Sequence, residues 1–189
     1  ERYFTNTKNV DFTHLLSEAT LKTIIKHVPI VLKDPENYAS RAEIMWAGTI
    51  AHNDLLSTGR VGDWSSHQIE HELSGIYDVA HGAGLAVVFP AWMKYVYKHD
   101  IPRFVQFATR VWNVEQDFFE PEKTALEGIH RLEEFFKSIG LPVRLDELDI
   151  PGDRLEEMAN KTKAGPDGKI GEFVKLTHAD VLKILHLAI

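Results

Sequence analysis

The 189-residue chain contains no cysteine. That excludes disulfides, thiolate metal sites and cysteine nucleophiles. It also lacks any apolar run approaching the roughly 20 residues that cross a bilayer as a helix, and its first residues do not form a secretory signal. The expected location is the cytoplasm. Basic residues are in the minority, with 21 Lys and Arg against 28 Asp and Glu and a formal charge of −7. With no basic cluster either, this balance argues against nucleic acid and anionic membrane as partners. No segment alternates apolar and polar residues between turn signals, so no strand is expected, and there is no glycine-rich phosphate loop.

What is present is 44% hydrophobic and 26% charged residues, enough to bury a real core. The length is that of one domain or slightly more. Helical periodicity runs through nearly all of it. From Asp11 to Lys33, apolar residues recur at Phe12, Leu15, Leu16, Ala19, Ile24, Val28 and Val31, with Pro29 expected to kink or break the run. Residues 37–57 read as a second helix, closed by Gly59 and Gly62. Ser65 with Gln68 forms a capping-box pattern opening a third helix to about Tyr77. Residues 82–96 are too long and apolar for a strand and read as a buried helix through Pro90. Pro102 and Pro121 suit the first turns of helices ending near Trp112 and Gly140. A short helix over 153–163 and a last one capped by Thr177 and Asp180 complete an all-α bundle or array. Residues 165–169 form the one flexible-looking stretch. The opening Glu1-Arg2-Tyr3-Phe4 has neither Met nor a capping residue, as though a helix began upstream.

The chemistry concentrates between His67 and Gly84. His67 and His71 are four apart and share a helix face. Ten histidines yield roughly half such a pair by chance, so the pair alone is weak. His81 lies 14 residues beyond His67, about 21 Å along a straight helix, too far for two ligands that each reach a metal at ~2.1 Å. Asp78, Gly82 and Gly84 are turn-forming residues, and a bend there returns His81 to His67. A pocket of neutral imidazoles without cysteine suits zinc, iron or nickel. Glu70, Glu72 and Asp78 are candidates for an oxygen ligand or for an acceptor behind a histidine, although charged residues more often form a solvated face.

The stretch GDWSSHQIEHELSGIYDVAHGAGLAVVFPAWMKY, residues 62–95, resembles the signature of iron-containing alcohol dehydrogenases, in particular their butanol dehydrogenase branch. ERYFTNTKNVDF at the start and THADVLKILHLAI at the end resemble the same family. The resemblance implies the helical C-terminal domain of the dehydroquinate synthase-like fold, occupying residues 1–189, without the N-terminal NAD(P)-binding domain. It further implies hydride transfer between NAD(P) and primary alcohols or aldehydes at a divalent iron, zinc or nickel held by one Asp and three His. By motif position His67 and His81 match two of the ligands. His71 matches a histidine beside the nicotinamide and substrate, where it carries the proton. The family's Asp-xxx-His ligand pair precedes Glu1, so the chain alone is expected to hold metal weakly or not at all and to be inactive. A homodimer is expected.

Other patterns carry less. Gly168 sits in a segment like the middle of an EF-hand loop, but Lys163, Gly165 and Val174 fall where oxygen ligands belong. His99-Asp100 lacks the further His and Asp residues of a metal phosphohydrolase. Trp46, Trp92 and Trp112 are expected in the core. Two further readings are a helical protein-interaction module and a hydrolase with a His-rich metal centre.

Overall fold

The computed structural model describes residues 1–189, folded as eight α-helices with no named strand. They are α1 (Asp11–Lys33), α2 (Tyr38–His52), α3 (Ser65–Tyr77), α4 (His81–Val96), α5 (Ile101–Trp112), α6 (Pro121–Ser138), α7 (Leu155–Lys161) and α8 (His178–His186). Consecutive helices pack in pairs, α1 with α2, α3 with α4, α5 with α6 and α7 with α8. The all-α expectation holds. A lone antiparallel bridge joins Ile170 to Leu176.

α4 is the central element, packed on α3, α6 and α8. Its sequence is apolar on nearly every side, as a helix surrounded by others must be, and Val87, Val88, Trp92 and Met93 are wholly buried. Pro90 lies inside α4 and Pro29 inside α1, and neither interrupts its helix. An aromatic cluster seals the N-terminal segment to this core: Phe4 stacks on Phe104 at 4.5 Å and meets Trp92 edge-on at 5.6 Å. Gly128 lets α6 approach α5 closely, since a methyl group there would stand 2.6 Å from the Ala108 side chain and 2.9 Å from its Cα.

Several expectations need correction. Residues 1–4 form a turn, closed by the Phe4 N–H donating to the Glu1 carbonyl at 2.9 Å. The helix expected over 37–57 stops at His52. There Asn53 accepts a hydrogen bond from the Leu55 N–H at 3.1 Å and Asp54 turns left-handed at φ 64°, a conformation that short polar side chains tolerate. Trp46 is 64% exposed and Trp92 alone of the three named tryptophans is wholly buried. In the first half of α1 the apolar stripe faces outward. Phe12 and Leu15 are exposed, while Thr13, His14, Ser17 and Glu18 are buried against Tyr3, Arg60 and Arg103. The capping box on α8 is present as expected, Thr177 and Asp180 each accepting from the other's backbone N–H. Asp100 caps α5 by accepting from the Arg103 N–H at 3.1 Å, and His99 meets Asn6, so His99-Asp100 is a structural pair.

Candidate functional site

The segment from His67 to Gly84 folds as one hairpin of helices. α3 carries His67 and His71 one turn apart on a shared face. It ends at Tyr77 because Asp78 adopts the left-handed conformation at φ 52°. α4 begins three residues later at His81, and the reversal returns His81 to the other two histidines. The His67 and His81 rings lie 5.4 Å apart between centroids, and those of His71 and His81 5.6 Å apart. All three histidines are thus gathered at one end of the α3–α4 pair. Asp78 forms the bend as expected, whereas Gly82 and Gly84 are helical residues of α4.

Gly84 has a different role. A methyl group on it would meet Glu70 Oε1 at 2.3 Å, so the glycine makes room for that carboxylate. Glu70 is wholly buried, which corrects the expectation of a solvated acidic face. Its two oxygens are engaged by His81 Nδ1 and by the Ser74 hydroxyl. Glu1 does for His67 what Glu70 does for His81. Its carboxylate, 2% exposed, meets His67 Nδ1 and accepts from the Ser66 N–H at 2.5 Å. Burial raises the Glu1 carboxyl, while its bond to His67 and the Ser66 contact lower it.

The start of α3 is fixed from below. The expected Ser65–Gln68 capping box is absent, because Ser65 lies inside the helix and its hydroxyl turns back to Asp63. Asp63, wholly buried, accepts from the backbone N–H groups of Ser65, Glu172 and Phe173, each at 2.7 Å. Gly171 lies against it, and a methyl group there would stand 2.9 Å from Asp63 Oδ2. Asp63 therefore ties α3 to the loop before α8, while Glu1 and Asp63 satisfy the helix's first donors.

This arrangement suits a cation. A histidine that gives Nδ1 to a carboxylate presents Nε2 as a ligand of fixed tautomer and orientation. His67 and His81 are both held in this way, with side chains 30% and 49% exposed. His71 is exposed and makes no hydrogen bond within the chain. A second grouping overlaps the first: ligand atoms of Glu70, His71 and His81 all lie within 4.8 Å of one another. That proximity includes the Glu70–His81 contact, so it describes a carboxylate behind a histidine as readily as one beside a metal. Sequence reasoning named the three histidines, missed Glu1 and Asp63, and took Gly84 for a turn residue. For Gly84 a signal was available, since it sits one turn after His81 and so on the face of α4 turned to Glu70.

Comparisons with known proteins agree with this geometry. The model of the Fe-containing alcohol dehydrogenase family, C-terminal region, matches residues 1–189. A probable NADH-dependent butanol dehydrogenase of Bacillus subtilis is 41% identical over 98% of this chain and 47% of its own length. NADH-dependent butanol dehydrogenase A of Clostridium acetobutylicum is 38% identical over 97% of this chain and 47% of its own. The crystal structure of NADH-dependent butanol dehydrogenase A from Thermotoga maritima superposes with a TM-score of 0.91 at 36% identity, covering 98% of this chain and 48% of that one. The aldehyde reductase YqhD of Escherichia coli gives 0.93 at 29% identity, over 100% and 49%. The chain thus spans about half the length of the relatives it matches. On the match over its whole length, the chain belongs to the Fe-containing alcohol dehydrogenase family, as the C-terminal, all-helical part of that fold.

Proposed function

We propose that this chain is the metal-holding helical half of a nicotinamide-dependent alcohol dehydrogenase of the butanol dehydrogenase kind, which interconverts primary alcohols and aldehydes. Its NAD(P)-binding half, together with the remaining metal ligands, lies outside residues 1–189. His67 and His81 are the ligands this chain supplies, through Nε2, to a divalent iron, zinc or nickel. The observation that carries the reading is that both rings give Nδ1 to a buried carboxylate, Glu1 for one and Glu70 for the other. Glu70 is the orienting partner of His81, because its oxygens are already taken by His81 and Ser74. When bound, the ion is a Lewis acid that polarises an aldehyde oxygen or lowers the pKa of an alcohol.

His71 has no partner within the chain and faces solvent beside His81, so it is free to take up or deliver the proton that accompanies hydride transfer. The helices hold these groups in place, and the nicotinamide exchanges the hydride. No feature of the site favours an interaction module or a hydrolase. The exposed Tyr38, Met45, Trp46, Phe118 and Phe119 support association, and we propose a homodimer working in the cytoplasm. Sedimentation of the isolated chain as a monomer at high concentration would count against the dimer. The activity is tested with the full-length protein. It should oxidise NAD(P)H in the presence of butyraldehyde only after loading with a divalent metal, while residues 1–189 alone bind no dinucleotide and turn nothing over. Turnover by the full-length protein after complete chelation would refute the reading.

A further inference from the structure

The usual recourse of a serine or threonine inside a helix is to its own backbone. Ser17, Thr20, Thr23, Thr49 and Thr109 each donate the hydroxyl to the carbonyl four residues earlier, at 2.9 or 3.0 Å. Ser74, inside α3, departs from this pattern. Its hydroxyl passes over the backbone and donates to a side chain four residues earlier, at Glu70 Oε1. Ser74 Oγ also stands 3.2 Å from the Val79 carbonyl oxygen, just past the left-handed bend at Asp78. A hydroxyl has one proton for these two acceptors, and the carboxylate is the stronger of them.

Glu70 is wholly buried, with His81 Nδ1 on Oε2 and Ser74 supplying the donor to Oε1. A buried acceptor stripped of its donor is costly, the more so when it is charged. Gly84 makes its room at that same oxygen, since a methyl group on it would run first into Oε1. The space left by α4 is therefore shaped around the oxygen that Ser74 holds. His81 depends on both groups beside Ser74. Glu70 holds its ring, and Val79 lies two residues before it on the chain leading from the bend. One hydroxyl thus sits between the partner of the ring and the backbone that delivers the ring.

We propose that Ser74 is a positioning residue for the metal ligand His81, acting through Glu70. Its hydroxyl fixes which way the buried carboxylate faces, and with it the ring that presents Nε2 to the ion. This role rests on the proposed function, in which His81 is a ligand. Ser74 itself touches neither ion nor substrate. Freed of Ser74, the carboxylate can rotate within the space beside Gly84, and His81 loses its fixed tautomer and direction. The loss should show at the metal and not in α3 as a helix. Ser74 is half-buried, and alanine is the better helix former.

Zinc affinity of the full-length protein, by competition with a metal-sensitive dye, tests the proposal. Ser74→Ala should raise the zinc dissociation constant about 10-fold or more, the effect typical of a partner lost from behind a metal-bound histidine. Ser74→Thr keeps the hydroxyl and should keep most of the affinity. Glu70→Ala should weaken zinc at least as far as Ser74→Ala. Adding Ser74→Ala to Glu70→Ala should weaken it no further, because the hydroxyl acts only through the carboxylate. A serine with a merely structural role would add its loss to that of Glu70→Ala. Unchanged zinc affinity in Ser74→Ala, an equal loss in Ser74→Thr, or additive losses in the double variant overturn the proposal and leave His81 as a ligand. An unmodified full-length protein that binds no zinc overturns the ligand assignment, and the proposal with it.

Discussion

Replacing Gly84 with alanine tests how tightly the carboxylate behind His81 is held. The added methyl would stand 2.3 Å from Glu70 Oε1, 2.9 Å from its Cγ and 3.0 Å from its Cδ, all well inside van der Waals contact. Glu70 sits at the end of a flexible side chain, which would ordinarily let it step aside. Here it is wholly buried, pinned by His81 and Ser74, and flanked by the buried Ile69 and Leu73. Either the carboxylate leaves His81 or α3 and α4 separate. Overpacking of this kind costs about 1–3 kcal/mol. Loss of the partner behind a metal-bound histidine typically weakens metal binding by about 10–100-fold. Gly82→Ala is the matched control, because a methyl there meets nothing within 4 Å and relieves a helical glycine by about 0.5–1 kcal/mol. Denaturant unfolding gives the first quantity, and competition with a metal-sensitive dye on the full-length protein gives the second. If Gly84→Ala matches Gly82→Ala in both, then Glu70 is not held as described and its role as the orienting partner of His81 fails.

Gly128→Ala should destabilise by a similar ~1–3 kcal/mol in denaturant, because the methyl meets the Ala108 backbone as well as its side chain and α5 cannot yield without moving whole; an unchanged midpoint would contradict the close packing of α5 and α6. His14 should make the fold sensitive to mild acid. Its folded value of about 4 lies below the ordinary 6.5, so between those pH values the unfolded chain binds the extra proton, and stability present above about pH 6.5 is lost as pH falls towards 4. The full effect is on the order of 3 kcal/mol. Unfolding curves at pH 7 and pH 5 should therefore converge when His14 is replaced by Gln, and an unchanged pH dependence would remove His14 as its source.

Helix positions were largely readable in the sequence because apolar spacing, prolines at first turns and the Thr177 cap each act locally. α1 ends where its periodicity does, and α4 passes through Pro90 as a buried helix. What was illegible depends on partners distant in the chain. The outward apolar and inward polar faces of α1 make sense only once Arg60 and Arg103, 43 and more residues away from Ser17 and His14, are placed against it. Ser65 has the pattern of a cap, but Asp63 and Glu1 reach the helix end first. The three histidines could be named from their spacing and the turn at Asp78. Their grouping followed, but the burial of Glu70 did not, since an isolated Glu on a helix gives no sign that a glycine 14 residues later makes space for it.

The central claim is that His67 and His81 hold the metal while His71 works beside it. Metal content of the full-length protein after dialysis, by elemental analysis, decides the matter for three single variants. His67→Ala and His81→Ala should each lose the metal and with it the activity. His71→Ala should keep about one metal per chain and lose turnover alone, because a proton carrier acts in the transition state without holding the ion. If His71→Ala strips the metal while His67→Ala retains it, then Glu70, His71 and His81 are the ligand set and the roles assigned here to His67 and His71 are wrong.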